Sequence, residues 1–168
     1  MMDLKTLTLQ IQDGVAHVIA GIERLVELGF PSIKVNAVIV RGVNEQDLIP
    51  LANLARAWPV DVRFIERMPL DGQIDEGYLG ADEIVRRLAQ QFVLTPEAPE
   101  DFRQAAQIMF RAEGLVGRLG VIAPRSKKFC QRCNRLRLTP EGELKGCLLT
   151  EGTLDLRTAL RQGVADAE

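Results

Sequence analysis

Histidine and cysteine are scarce in this sequence, and long apolar runs are missing. Its 168 residues include one histidine, His17, and three cysteines, Cys130, Cys133 and Cys147. An odd cysteine count argues against the paired disulfide framework of small secreted domains. No apolar run approaches the roughly 18 residues that a membrane span needs. The opening Met1-Met2-Asp3-Leu4-Lys5 lacks the apolar core and cleavage site of a secretory leader. The expected location is the cytoplasm, with no membrane partner. No internal repeat and no low-complexity tract interrupts the chain. Hydrophobic residues at 46% and charged residues at 26% give an ordinary globular balance, enough for one core.

Acidic residues are absent from one long stretch. Between Gly114 and Pro140 stand Arg118, Arg125, Lys127, Lys128, Arg132, Arg135 and Arg137, with no Asp or Glu among them. The remainder carries 14 basic against 23 acidic residues, so a net charge of −2 hides a basic island in an acidic chain. Such an island attracts an anion, while the acidic remainder argues against a broad nucleic-acid surface. On charge alone, a solvated basic loop fits equally well.

The apolar pattern reads as alternating helices and strands. From Asp13-Gly14, the residues Val15, Val18, Ile19, Ile22, Leu25 and Val26 follow the helical period, and Gly29 is placed to stop the helix. Residues 33–40 are a β-branched apolar run, expected to be a buried strand. Asn44 is a candidate cap for a helix reaching Ala57, in which Pro50 marks a kink or the true first turn. Residues 60–68 form a second candidate strand, and Pro69-Leu70-Asp71-Gly72 a loop. Residues 81–90 fit a short amphipathic helix, and 95–100 a linker. Strands at 108–112 and 119–123 and a helix at 154–161 complete the reading. Helix, strand, helix, strand points to a parallel α/β sheet. Two strands alone cannot make one, so either the chain forms a homodimer or partner strands are missing.

Lys34 and Asn36 alternate with Ile33, Val35 and Ala37, so both fall on one face of the first strand. Inside a barrel, that lysine would need an anionic partner or a wet cavity; at a strand end it would simply sit in solvent.

The chemistry concentrates in Cys130-x-x-Cys133 and in Cys147, which follows after a candidate hairpin at Pro140-Glu-Gly142. Two intervening residues let two thiolates grip one metal centre, and thiolates select zinc or iron–sulfur centres. Structural zinc wants four protein ligands. Here there are three cysteines, and His17, a core or helix-surface residue, lies more than a hundred positions away. A 4Fe–4S cluster on three cysteines keeps one iron open for another ligand. Zinc with a carboxylate, or a redox cysteine pair, remains an alternative at this point. Arg135 and Arg137 stand two apart, and paired guanidinium forks suit a di- or triphosphate.

At these residues the sequence resembles the GTP 3′,8-cyclase family, radical S-adenosylmethionine enzymes of molybdenum cofactor biosynthesis. The resemblance is nearly continuous through Ser126-x-x-Phe129-Cys-x-x-Cys-Asn-Arg-x-Arg-Leu-Thr139, Gly142, Leu144 and Cys147-Leu148. Upstream it rests on Gly21-Ile22, Ile33-Lys34-Val35-Asn36, Arg41-Gly42-Val43-Asn44 and Arg63-Phe64-Ile65-Glu66.

The resemblance implies that the chain is the C-terminal part of an incomplete parallel, TIM-like β/α barrel, followed by an α+β region. Residues 1–95 would supply the last βα units, and residues 96–168 the region binding cluster and GTP. Cys130, Cys133 and Cys147 would hold a 4Fe–4S cluster whose open iron meets the guanine. Arg135, Leu136 and Arg137 would form the GTP-binding stretch, with the two arginines on the triphosphate. Lys34 would also contact GTP, and Met68 would contact S-adenosylmethionine. The family's Cys-x-x-x-Cys-x-x-Cys motif, which holds the radical-generating cluster, is not in this sequence, nor is the terminal Gly-Gly. The expectation is therefore a substrate-binding portion truncated at both ends and inactive alone. A different class also fits the spacing: a structural zinc module contacting nucleic acid or protein through its basic loop.

Overall fold

A computed structural model of the chain describes residues 4–68, 75–98, 107–127, 136–147 and 152–162, with side chains from residue 14 onward. Its main feature is a five-stranded sheet in the order β1-β2-β5-β4-β3. The strands are β1 (Ile33–Ile39), β2 (Val60–Glu66), β3 (Leu94–Glu97), β4 (Gln107–Ala112) and β5 (Arg118–Ile122). β1, β2 and β5 run parallel, while β4 and β3 add on antiparallel. The sheet is thus mixed, within an α/β fold.

The sequence reading found only two strands for a parallel sheet, and the chain itself supplies the third. β5 pairs with β2 in the register Val62↔Leu119 and Phe64↔Val121. The stretch read as a linker also needs correction. β3 occupies its first residues and pairs with β4, with Pro96 opposite Phe110. Proline is tolerated there because an edge strand leaves one side without a hydrogen-bonding partner strand. Strands from both sides of residue 95 consequently share one sheet.

Alternation divides the sheet into two faces. Val60, Val62, Phe64, Leu119 and Val121 are fully buried, packed with Leu48, Ala52, Ile84 and Leu88 from the helices. Those helices are α2 (Leu48–Ala52), α3 (Leu54–Ala57) and α4 (Ala81–Leu88). β2 alternates buried and half-buried residues along its whole length, the mark of one apolar face and one polar face. β1 departs from the expected fully buried strand: Lys34, Asn36 and Val38 are exposed, and only Ile33 and Ile39 are buried.

Several boundaries move. α1 (Leu4–Glu27) begins well before Gly14. Of its apolar stripe only Ile22 is buried, whereas Val15 and Val18 are 56% and 61% exposed. His17 lies on that helix surface. The expected helix from Asn44 to Ala57 is broken into a 3-10 turn (Glu45–Asp47), α2 and α3. Asn44 stands at the N-cap of the 3-10 turn, where its carbonyl accepts from the Asp47 amide, but its side chain makes no capping bond: its Oδ1 accepts from the Val40 amide at 2.8 Å and its Nδ2 donates to the Val38 carbonyl at 2.9 Å. Its side chain holds the end of β1 instead. Pro50 falls in the first turn of α2, where its missing N–H removes no intrahelical bond. β2 ends at Glu66 rather than Met68, and α4 ends at Leu88.

The second sheet has the order β6-β7-β8, built from β6 (Arg137–Leu138), β7 (Glu143–Lys145) and β8 (Thr153–Asp155). The helix expected at 154–161 begins two residues later, as α5 (Leu156–Arg161), because β8 takes its first two residues.

Candidate functional site

The face of the large sheet opposite the helices carries charge. In register, Lys34 on β1 is opposite Asp61 on β2, which is opposite Arg118 on β5. Arg118 donates to both oxygens of Asp61, from Nε at 2.8 Å and Nη2 at 2.9 Å, and reaches Glu97 from Nη1 at 3.4 Å. Arg111 donates to Glu97 at 2.7 Å. In the next row, Asn36, Arg63 and Gly120 lie opposite one another. Arg63 Nη1 donates to Gln107 at 3.0 Å, while its buried Nε has no hydrogen-bond partner among the described residues. Burial lowers the Arg63 pKa from its ordinary value, and the nearby Asp61 carboxylate opposes that shift. Gly120 makes room: a Cβ there would lie 2.6 Å from Met109 Sδ and 3.0 Å from Arg63 Cγ.

At the C-terminal end of β2 stands Glu66, only 1% exposed and the one charged side chain buried among the described residues. Its Oε1 accepts from the Ala81 amide at 2.6 Å, the Tyr78 hydroxyl at 3.3 Å and the Ser126 hydroxyl. Its Oε2 accepts from the amides of Arg125 and Ser126, at 3.1 and 3.0 Å. Burial pushes its pKa up, but the hydroxyl and amide of Ser126 and the amides of Ala81 and Arg125 outweigh that. The carboxyl is held below the ordinary glutamate value. Met68 follows two residues later, half-buried.

The hairpin expected at Pro140 is present. β6 and β7 pair in the register Arg137↔Lys145. Gly142, at a φ of 84°, donates to the Thr139 carbonyl at 3.0 Å, and the Thr139 amide donates to Glu143 at 2.9 Å. The Gly142 carbonyl then receives the amides of Leu156 and Arg157 at 3.1 and 3.2 Å, seating α5 on the turn. Cys147, half-buried, lies two residues beyond β7 and Arg137 opens β6. Both therefore sit at the end of the hairpin away from its turn. Leu136 is exposed.

Cys130, Cys133 and Arg135 lie outside the described residues. Among the described residues, no group of three or more His, Cys, Asp or Glu is placed to hold a metal ion. The donor set itself is three cysteines, with the sole histidine on the surface of α1. That set fits an iron–sulfur cluster better than closed tetrahedral zinc. Lys34 is exposed on β1, on the charged face, in the row of Asp61 and Arg118. Sequence reasoning missed that row because Asp61 and Arg118 are 57 residues apart and meet only through the β2–β5 pairing. It also gave Glu66 no role; the signal available was an acidic residue continuing the alternation of Val60, Val62 and Phe64, the buried face of its strand.

A mixed sheet with one charged face, together with a hairpin that carries a thiol and a guanidinium at one end, defines an α/β protein with a candidate anion and metal site. The chain belongs to the Molybdenum Cofactor Synthesis C family, whose signature matches residues 60–168. It is 41% identical over 157 residues to the GTP 3′,8-cyclase of Pseudomonas putida (strain W619), an alignment covering 91% of this chain and 47% of that enzyme. To the GTP 3′,8-cyclase of Moorella thermoacetica it is 39% identical over 150 residues, covering 88% and 46%. To the human molybdenum cofactor biosynthesis protein 1 it is 38% identical over 157 residues, covering 92% and 24%. The chain thus spans about half the length of the cyclases it matches. No helix among the described residues is long and apolar enough to cross a membrane.

Proposed function

We propose that this chain is the substrate-binding, C-terminal part of a GTP 3′,8-cyclase. That enzyme converts GTP to (8S)-3′,8-cyclo-7,8-dihydroguanosine 5′-triphosphate by S-adenosylmethionine radical chemistry, in molybdenum cofactor biosynthesis. The observation that carries this reading is the identity of about two residues in five with such cyclases across nine-tenths of the chain. The hairpin supports it, because it brings the Arg137 guanidinium and the Cys147 thiol to one end.

In this reading, residues 1–95 supply the last units of a β/α barrel whose interior is the charged sheet face. Residues 96–168 bind cluster and nucleotide. Cys130, Cys133 and Cys147 hold a 4Fe–4S cluster, which offers an open coordination site to the guanine of GTP. Arg135 and Arg137 grip the triphosphate through bidentate forks, with Leu136 between them in the binding stretch. Lys34 adds a positive charge from the barrel side. Met68 contacts S-adenosylmethionine through its main chain. A second 4Fe–4S cluster, which generates the radical, needs cysteines beyond the three in this sequence.

Anaerobic reconstitution of the purified chain tests the reading. The expected product is brown, absorbs near 400 nm and holds about four irons per chain, the content of one such cluster. Stoichiometric zinc with negligible iron, in a colourless protein, would overturn it in favour of a structural zinc module.

A further inference from the structure

The Glu66 carboxylate is saturated: two hydroxyls and three backbone amides surround its two oxygens, and no cationic side chain is among those donors. A buried carboxylate with five donors on its two oxygens has its acceptor sites occupied by the fold. Its geometry is therefore not that of a general base. The donors come from two segments that follow different elements. One is residues 78–81, leading into α4; the other is the turn 124–127, which follows β5. One side chain thus ties together the ends of two parallel strands and the start of a helix.

The second of those segments matters for the site. The turn ends at Lys127, three residues before Cys130. Ser126 gives Glu66 both its amide and its hydroxyl although the residue itself is exposed. Ser126 stands four residues before Cys130 in sequence, so its bonds to a buried carboxylate hold the described end of the segment that leads to that cysteine. An apolar side chain in place of Glu66 would leave the amides of Ala81, Arg125 and Ser126 without this acceptor.

We propose that Glu66 is a positioning residue, which through Ser126 fixes the turn from which the cysteine-bearing segment departs and so governs how firmly that segment keeps its cluster. This rests on the reading of Cys130, Cys133 and Cys147 as cluster ligands. Glu66 touches neither cluster nor substrate; it acts through the turn.

Ser126→Ala is the informative variant, because it deletes one donor to Glu66 and leaves the carboxylate and the apolar core in place. In the reconstituted full chain, iron release to a chelator should quicken roughly tenfold or more, the effect of losing one charge-assisted hydrogen bond on a local opening equilibrium. Ser126→Thr keeps the hydroxyl and should restore slow release. Glu66→Gln should release iron at least as fast as Ser126→Ala. In the metal-free chain, alkylation of Cys130 and amide exchange at Arg125 and Ser126 should accelerate in the same order, with exchange in β2 and β5 unchanged for Ser126→Ala. Parent-like iron release from Ser126→Ala would overturn the proposal, even if the turn exchanges faster. If the parent takes up no iron, the cluster reading falls separately. The proposal then stands or falls on whether Cys130 alkylation responds to Ser126→Ala.

Discussion

Arg118 on β5 embraces Asp61 on β2 with two hydrogen bonds, at 2.8 and 2.9 Å, across adjacent parallel strands 57 residues apart in sequence. Both side chains are less than one-quarter exposed, so the pair is screened less than a surface bridge. Arg118→Met strands the carboxylate of Asp61 and loosens that of Glu97. It should cost about 1–3 kcal/mol, the penalty for leaving a half-buried partner unpaired. Asp61→Asn should cost less, because Arg118 keeps Glu97. Urea unfolding of both variants checks the order; equal losses would show that the Arg118–Glu97 contact adds nothing to the pair.

Gly117 admits no side chain. A Cβ there would fall 2.1 Å from the Val60 carbonyl oxygen, 2.8 Å from its amide nitrogen and 3.0 Å from the Trp58 carbonyl. All three are backbone atoms, so relief requires moving β2. Gly117→Ala should destabilise by ~3 kcal/mol or more, at the upper end of overpacking costs. Gly120→Ala meets the flexible end of Met109 first and should cost ~1 kcal/mol. The two thermal midpoints should separate accordingly.

Acid should unfold the chain partly through Glu66. Its folded pKa is depressed, so the stability it contributes is fully present above the ordinary glutamate value of about 4.3 and is lost as pH falls through the lower folded value. Unfolding free energy should therefore decline as pH drops below that ordinary value. Glu66→Gln should be less stable at neutral pH and show a shallower decline. A variant as acid-sensitive as the parent would assign the loss to other carboxylates.

The arginine pair should discriminate phosphates. In a full-length cyclase context, Arg135→Ala or Arg137→Ala should weaken GTP binding roughly ten- to a hundredfold, one charge-assisted hydrogen bond each. The cluster spectrum should be unchanged, Arg→Lys should recover only part, and guanosine should bind weakly and indifferently. If both alanine variants bind GTP like the parent at moderate salt, the triphosphate contact is wrong.

Local pattern was enough for β1, β2, α4 and the two strands around Gly114 and Gly117, because alternation and helical period are written in consecutive residues. What it lacked was pairing. β5 looked like a stray strand until β2 paired with it, and Thr95-Pro96-Glu97 read as part of a linker because proline and polar residues also suit an edge. Asn44 had the composition of a cap, but it bonds backward to Val38 and Val40, a choice that only the turn after β1 explains. At the site, the Cys-x-x-Cys motif, Cys147 and the two arginines were legible as chemistry at fixed spacing. The Glu66 ring of donors was not, since Ser126 is 60 residues away and most of the other donors are main-chain amides.

Pro96 gives the large sheet a direction. On β3, one rim carries a proline that has no N–H to offer an incoming strand; on β1, the opposite rim is a seven-residue parallel strand without proline. Among the described residues, β1 is therefore the rim with an uninterrupted set of backbone donors, and a strand added at β3 would lack the bond that Pro96 cannot give. A strand that lengthens this sheet at β1 would arrive beside Lys34 and Asn36, and every second residue of it would extend the charged face.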